Sequence, residues 1–123
     1  MDVKGKVFLV QWDPAAAEAR ACELRDEGWL VETEAEDGAR AFRAIRVGQP
    51  DVVVIDLSAK PSHGREVARS LRQSRTLVDL PIVFVDGDQA AIDKARAKVS
   101  GAIFTTSAAL ATTLSGYAKS GNG

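Results

Sequence analysis

The segment Asp51-Val52-Val53-Val54-Ile55-Asp56-Leu57 limits the fold more than any other, because four consecutive β-branched apolar residues run straight into an acid. Such side chains are stiff at χ1 and pack well on a pleated surface, so the run reads as a strand. No polar residue alternates through it. Both faces of the strand are therefore covered, as in a parallel sheet flanked by helices. In open α/β sheets functional groups gather at the carboxyl ends of the strands, and Asp56 stands at that end.

The remaining segments alternate in the same sense. Lys6 to Val10 is a short apolar strand, and Asp13-Pro14 supplies a capping acid followed by proline at the first helical position. The helix this opens runs from Pro14 to about Glu27 and stops at Gly28, and Trp29 to Glu34 alternates as a more exposed second strand. Asp37-Gly38 opens a helix with Ala41, Phe42 and Ile45 on one buried face, Gly48 closes it, and Gln49-Pro50 leads into the Asp56 strand. A third helix after Gly64 carries Val67, Ala68 and Leu71 inward. Pro81 to Val85 is a fourth strand, Asp86-Gly87-Asp88 a turn, Gln89 to Lys98 a fourth helix, Gly101 to Thr105 a fifth strand, and Ser107 to about Ala118 a fifth helix. Five strands alternating with five helices predict a parallel sheet with right-handed crossovers inside a three-layer α/β/α sandwich.

A chain of 123 residues suits one domain, placed at 1–118, with a small polar tail at 119–123 that reads as a flexible tail or the start of a linker, as expected of the front module of a longer protein. The formal net charge of −1 gives no bulk attraction toward nucleic acid or an anionic membrane. No apolar stretch approaches the roughly 18 residues of a membrane span, so a cytoplasmic location is expected. The single cysteine, Cys22, cannot form an internal disulfide and is read as a small core residue of the first helix.

Several motifs then combine at fixed positions: Glu36-Asp37-Gly38 before the second helix, Gln49-Pro50-Asp51 entering the third strand, Asp56 at its end with Gly64 beyond, and Leu80-Pro81-Ile82 opening the fourth strand. Over about residues 4 to 118 this order resembles the receiver domains of bacterial two-component response regulators. The resemblance implies a flavodoxin-like (βα)5 fold with a five-stranded parallel sheet in the order 2-1-3-4-5, and a place in phosphorelay signal transduction. It also implies that Asp56 occupies the phosphoacceptor position, next to an acid pair that holds magnesium through hard oxygen ligands.

The chain departs from that pattern around Asp56. The positions matching the acid pair are Gln11, which offers only a neutral carbonyl, and Trp12, which offers no ligand. Asp13 is the nearest remaining acid. It reads first as the cap of the first helix, and Asp13, Asp56 and Asp86 are the candidates for a displaced cation site. The hydroxyl expected at the end of the fourth strand is replaced by Asp86, the lysine at the end of the fifth by Thr105, and the aromatic switch residue of the fifth strand by Ala102. A carboxylate for a hydroxyl and a threonine for a lysine both disfavour a phosphoryl anion.

The resulting expectation is a pseudo-receiver that is not an enzyme and needs no cofactor. It is a phosphorylation-independent interaction module that meets a protein partner or a second copy through its fourth helix, fifth strand and fifth helix, where Lys94, Arg96 and Lys98 lie. The alternative is a phosphoacceptor modified at Asp56 through an atypical magnesium site. A small-ligand binder at the strand tips is a third reading, unsupported by any glycine-rich phosphate loop. Asp56 otherwise serves as a fold residue capping nearby amides. Trp12 either anchors an interface or fills the vacated acidic pocket, and Trp29 packs in or near the core. The arginines Arg40, Arg43 and Arg46, and Arg65, Arg69, Arg72 and Arg75, read as solvated helix faces, and His63 as a loop residue.

Overall fold

In the computed structural model, which describes residues 3–119, β1 (Gly5–Val10), α1 (Pro14–Asp26), β2 (Trp29–Glu34), α2 (Gly38–Gly48) and β3 (Val52–Asp56) form the first half of the domain. The second half is α3 (Pro61–Gln73), β4 (Ile82–Val85), α4 (Gln89–Lys98), β5 (Ile103–Thr105) and α5 (Leu110–Ser115). All strand pairs are parallel and the sheet order is β2-β1-β3-β4-β5, the flavodoxin-like order.

Because side chains alternate across a strand, the sheet divides the core in two. Phe8, Val10, Val53, Ile55, Ile82 and Phe84 pack toward α2, α3 and α4. Val7, Leu9, Val52, Val54, Val83 and Val85 pack with Ala21 and Leu24 of α1 and Leu110 and Leu114 of α5. β3 is buried along its whole length, as its unbroken apolar run requires. Trp29 is buried in the second layer.

Several boundaries differ from the sequence reading. The third helix starts at Pro61, so Gly64 lies inside it. A Cβ on Gly64 would stand 2.6 Å from Ile55 Cγ2, and its bare Cα lets α3 press onto β3. α2 is closed not by Gly48 but by Gln49 in the left-handed region at φ 48°, whose N–H donates to Ile45 O. The fifth strand and fifth helix are shorter than expected, at Ile103–Thr105 and Leu110–Ser115.

Cys22 is exposed, not a core residue. Ala17, Ala21 and Leu24 form the buried stripe of α1, and Cys22 lies about 100° around the helix from Ala21. Its Sγ is 3.6 Å from Glu18 Oε1. Of the expected tail, Lys119 is tied to the entrance of β1, its N–H donating to Lys4 O and its Nζ 3.4 Å from Asp51 Oδ1. The rest of that tail lies outside the described residues.

Candidate functional site

The site is set by alternation at the strand tips. Gln11 continues the side of β1 that holds Val7 and Leu9, and Asp56 the side of β3 that holds Val52 and Val54, so both face α1 and α5. Trp12 continues the other side, after Phe8 and Val10, and lies buried among α2 and α3. Its indole meets His63 edge to face, with ring centroids 5.7 Å apart. It neither covers nor fills the pocket around Asp56, and at 6% exposure it is not a surface anchor.

Asp86 reaches the Asp56 side by a different route. It adopts φ 60°, a left-handed conformation that aspartate tolerates better than most residues, and Gly87 follows at φ 92°. The alternation of β4 ends there. The Asp86 carboxylate accepts from the backbone N–H of Ser107 at 2.8 Å and from the Ser107 hydroxyl.

The residue that joins these acids is Arg20 of α1. Its Nη2 lies 3.3 Å from Asp56 Oδ2 and 3.6 Å from Asp86 Oδ2, and donates to Ser107 Oγ at 2.9 Å. The other Asp56 oxygen, Oδ1, accepts from Ser58 N at 2.7 Å and from the Ser58 hydroxyl. Asp56 is 1% exposed, so its charge depends on these partners. They line a small cleft of about 290 Å³ together with Gln11.

Arg20, Ser58 and Ser107 are site residues that the sequence reading missed. Arg20 sits on a helix whose register was readable but whose reach across the strand tips was not. Thr105, expected at this position, turns away and shares a 2.9 Å hydrogen bond with Thr113 of α5. Ser107 stands in the site in its place. Ala102, expected at the switch position, precedes β5. The aromatic within β5 is Phe104, stacked on Phe84 at 5.1 Å between centroids, with the Arg96 guanidinium 4.5 Å above its ring.

A magnesium ion does not fit the residues present. Asp13 is exposed and its Oδ1 caps α1 by accepting from Ala15 N and Ala16 N. Gln11 Oε1 is taken by the N–H of Asp13 at 3.1 Å, and Trp12 points to the opposite layer. Asp56 and Asp86 face each other across a guanidinium, which already supplies their positive charge. Among the described residues no group of three or more His, Cys, Asp or Glu side chains gathers as a metal site.

The arginine faces are not uniformly solvated. Arg40 forms a bidentate pair with buried Glu34 at 2.8 and 2.9 Å, and Arg69 lies 3.4 Å from Glu66. Arg72 is half-buried and not simply part of a solvated face. It donates to Leu80 O and Ser100 O, bracing α3 against the entrance of β4 and the end of α4, and burial lowers its pKa. Lys94, Arg96 and Lys98 are exposed on α4. His63 is exposed in the first turn of α3, one residue before Gly64, and not in a loop.

The amino-acid sequence matches the family described as response regulator receiver domain over residues 7–105. The probable transcriptional regulatory protein TcrX of Mycobacterium tuberculosis is 34% identical over 95 residues, covering 77% of this chain and 39% of that protein. The DNA-binding response regulator MtrA of Mycolicibacterium smegmatis is 31% identical over 100 residues, 81% of this chain and 42% of that protein. The chain thus spans about two fifths of the length of these relatives. A response regulator receiver domain from Bermanella marisrubri superposes with a TM-score of 0.74 at 26% identity, covering 89% of this chain and 93% of that one. The chemotaxis response regulator CheY4 of Vibrio cholerae shares the fold at a TM-score of 0.75 and 22% identity, over 94% of this chain and 99% of that one. With the family matched across most of its length and the strand order of that fold beneath it, the chain belongs to the response regulator receiver domains, signalling modules of two-component systems.

Proposed function

We propose that this receiver is a pseudo-receiver, a cytoplasmic protein-interaction module whose output does not depend on phosphate at Asp56. The observation that carries this reading is the Arg20 guanidinium 3.3 Å from the Asp56 carboxylate. A phosphoacceptor needs a free carboxylate oxygen and a cation that neutralises the incoming phosphoryl oxygens. Here one Asp56 oxygen is bonded twice by Ser58 and the other faces a cation fixed to the protein. The Asp86 carboxylate adds negative charge where the phosphoryl group would arrive.

The partner surface is the face of α4, β5 and α5. Arg96 is held over Phe104, Lys94 and Lys98 are exposed on the same helix, and Ile103 of β5 is 41% exposed. A cationic rim around apolar area suits an acidic protein partner or a second copy of the chain.

The test is incubation with acetyl phosphate and magnesium followed by intact-mass measurement. No phosphoryl adduct is expected, and Arg96→Glu with Lys98→Glu weakens partner or self-association while Asp56→Asn leaves it unchanged. An adduct that disappears in Asp56→Asn overturns the reading. That outcome supports the second reading, a phosphoacceptor at Asp56, which is favoured by the retained acid at the tip of β3 and by the likeness to proteins named as DNA-binding response regulators.

A further inference from the structure

Between α2 and α3 a groove of about 530 Å³ opens, within the size range of small-molecule sites. The buried Trp12 and Val67 and the half-buried Phe42 line it, together with the exposed His63. The groove exists for two reasons readable in the chain. Trp12 follows the alternation of Phe8 and Val10 into this layer, away from the Asp56 cleft. Gly38, at the start of α2, has no side chain to fill the space between Val67 and Trp12, where a Cβ would lie 3.4 Å from Val67 Cγ2 and 4.0 Å from Trp12 Cη2.

The rim has one sign of unmatched charge. Arg43 lines the groove and has no ion pair among the described residues, whereas Arg40 is paired with Glu34. Across the groove Glu66 is matched by Arg69 at 3.4 Å, and Ser70 is neutral. Flat aromatic walls favour a planar ring through offset or edge contacts, and an unpaired guanidinium favours a carboxylate or sulfonate.

We propose that this groove binds a small planar aromatic anion, its ring against Trp12 and Phe42 and its acid group on Arg43. Such a site gives the domain a chemical input on the layer of the sheet opposite Asp56. It is independent of whether Asp56 accepts phosphate.

The experiment is a titration of the full chain with 1-naphthoate, read on the two indole N–H resonances in a nitrogen–proton correlation spectrum, with uncharged 1-naphthalenemethanol in parallel. Trp29 lies in the other core layer and serves as the internal control. The Trp12 resonance is expected to shift and saturate while that of Trp29 stays in place. Arg43→Gln, an exposed position, weakens naphthoate by about three- to five-fold, the scale of an exposed ion pair, and leaves the alcohol unchanged. Gly38→Ala narrows the groove without a clash and weakens both compounds. The proposal is overturned by no saturable shift at millimolar naphthoate, by equal shifts of both indoles, or by an Arg43→Gln affinity equal to wild type. A Trp12 shift that follows protein concentration alone also overturns it, since a second copy then covers the groove.

Discussion

Arg20 Nη2 lies 3.3 Å from Asp56 Oδ2 and 3.6 Å from Asp86 Oδ2, so a single guanidinium serves two acids from different strand tips. The Arg20 side chain is only 15% exposed and that of Asp56 2%, which places the pair where water screens poorly. Asp86 is more open, at 32%, and its share of the interaction is correspondingly smaller. The arrangement ties α1 to β3 and, through Ser107, to the loop that enters α5.

Arg20→Met keeps an unbranched apolar stem and removes the charge, leaving Asp56 buried without a cation. The loss is expected to be about 2 kcal/mol in urea unfolding, below the range for a fully buried pair because Arg20 touches solvent. Asp56→Asn should cost less in the Arg20→Met background than in wild type, with a coupling of about 1 kcal/mol or more. Equal costs in the two backgrounds would mean that the pair contributes nothing.

Glu34 is held at about 2, first by the hydrogen bond from Arg40, against the opposing effect of burial, and then by the N–H groups of Glu36 and Asp37. Since the folded value lies below the usual 4.5, the stabilisation is complete above pH 4.5 and is lost as pH falls from there toward 2. Glu34→Gln should therefore flatten the acid side of a stability-versus-pH curve and lower stability at neutral pH. An unchanged acid limb would show that other carboxylates dominate it.

Gly64→Ala sets two effects against each other. Alanine gains about 1 kcal/mol of helix propensity over glycine, while the added methyl stands 2.6 Å from Ile55 Cγ2 in a packed core. Overpacking costs about 1–3 kcal/mol, so net destabilisation is expected, read as a lower thermal midpoint. A midpoint at or above wild type would mean that α3 lifts freely from β3.

The Cys22 thiol is predicted to react with a chromogenic disulfide reagent in the native protein, since it lies on the outer face of α1. A native rate within about ten-fold of the rate in urea is the expected result. Protection by several orders of magnitude would place it in the core after all.

What was legible in the sequence was set by local periodicity. The apolar run into Asp56, the capping acids Asp13, Asp37 and Asp88, and Pro14 mark strands and helices whose bounds fall within a few residues of those observed. The strand order was legible only through the resemblance. Ala17, Ala21 and Leu24 carry the inner stripe of α1, and Cys22 was misread because residue type was weighed before position on that stripe.

The local pattern thus determined the alternating elements and the acid at the tip of β3. Tertiary structure decided what that acid does. Arg20 is 36 residues from Asp56 in the chain and Ser107 is 87 from Arg20, and no periodicity brings such residues together. They meet because a parallel sheet places the ends of β1, β3 and β4 side by side, and the left-handed turn at Asp86 swings a carboxylate across. The same pleat sent Gln11 toward Asp56 and Trp12 away from it, which separated the acid cleft from the aromatic groove.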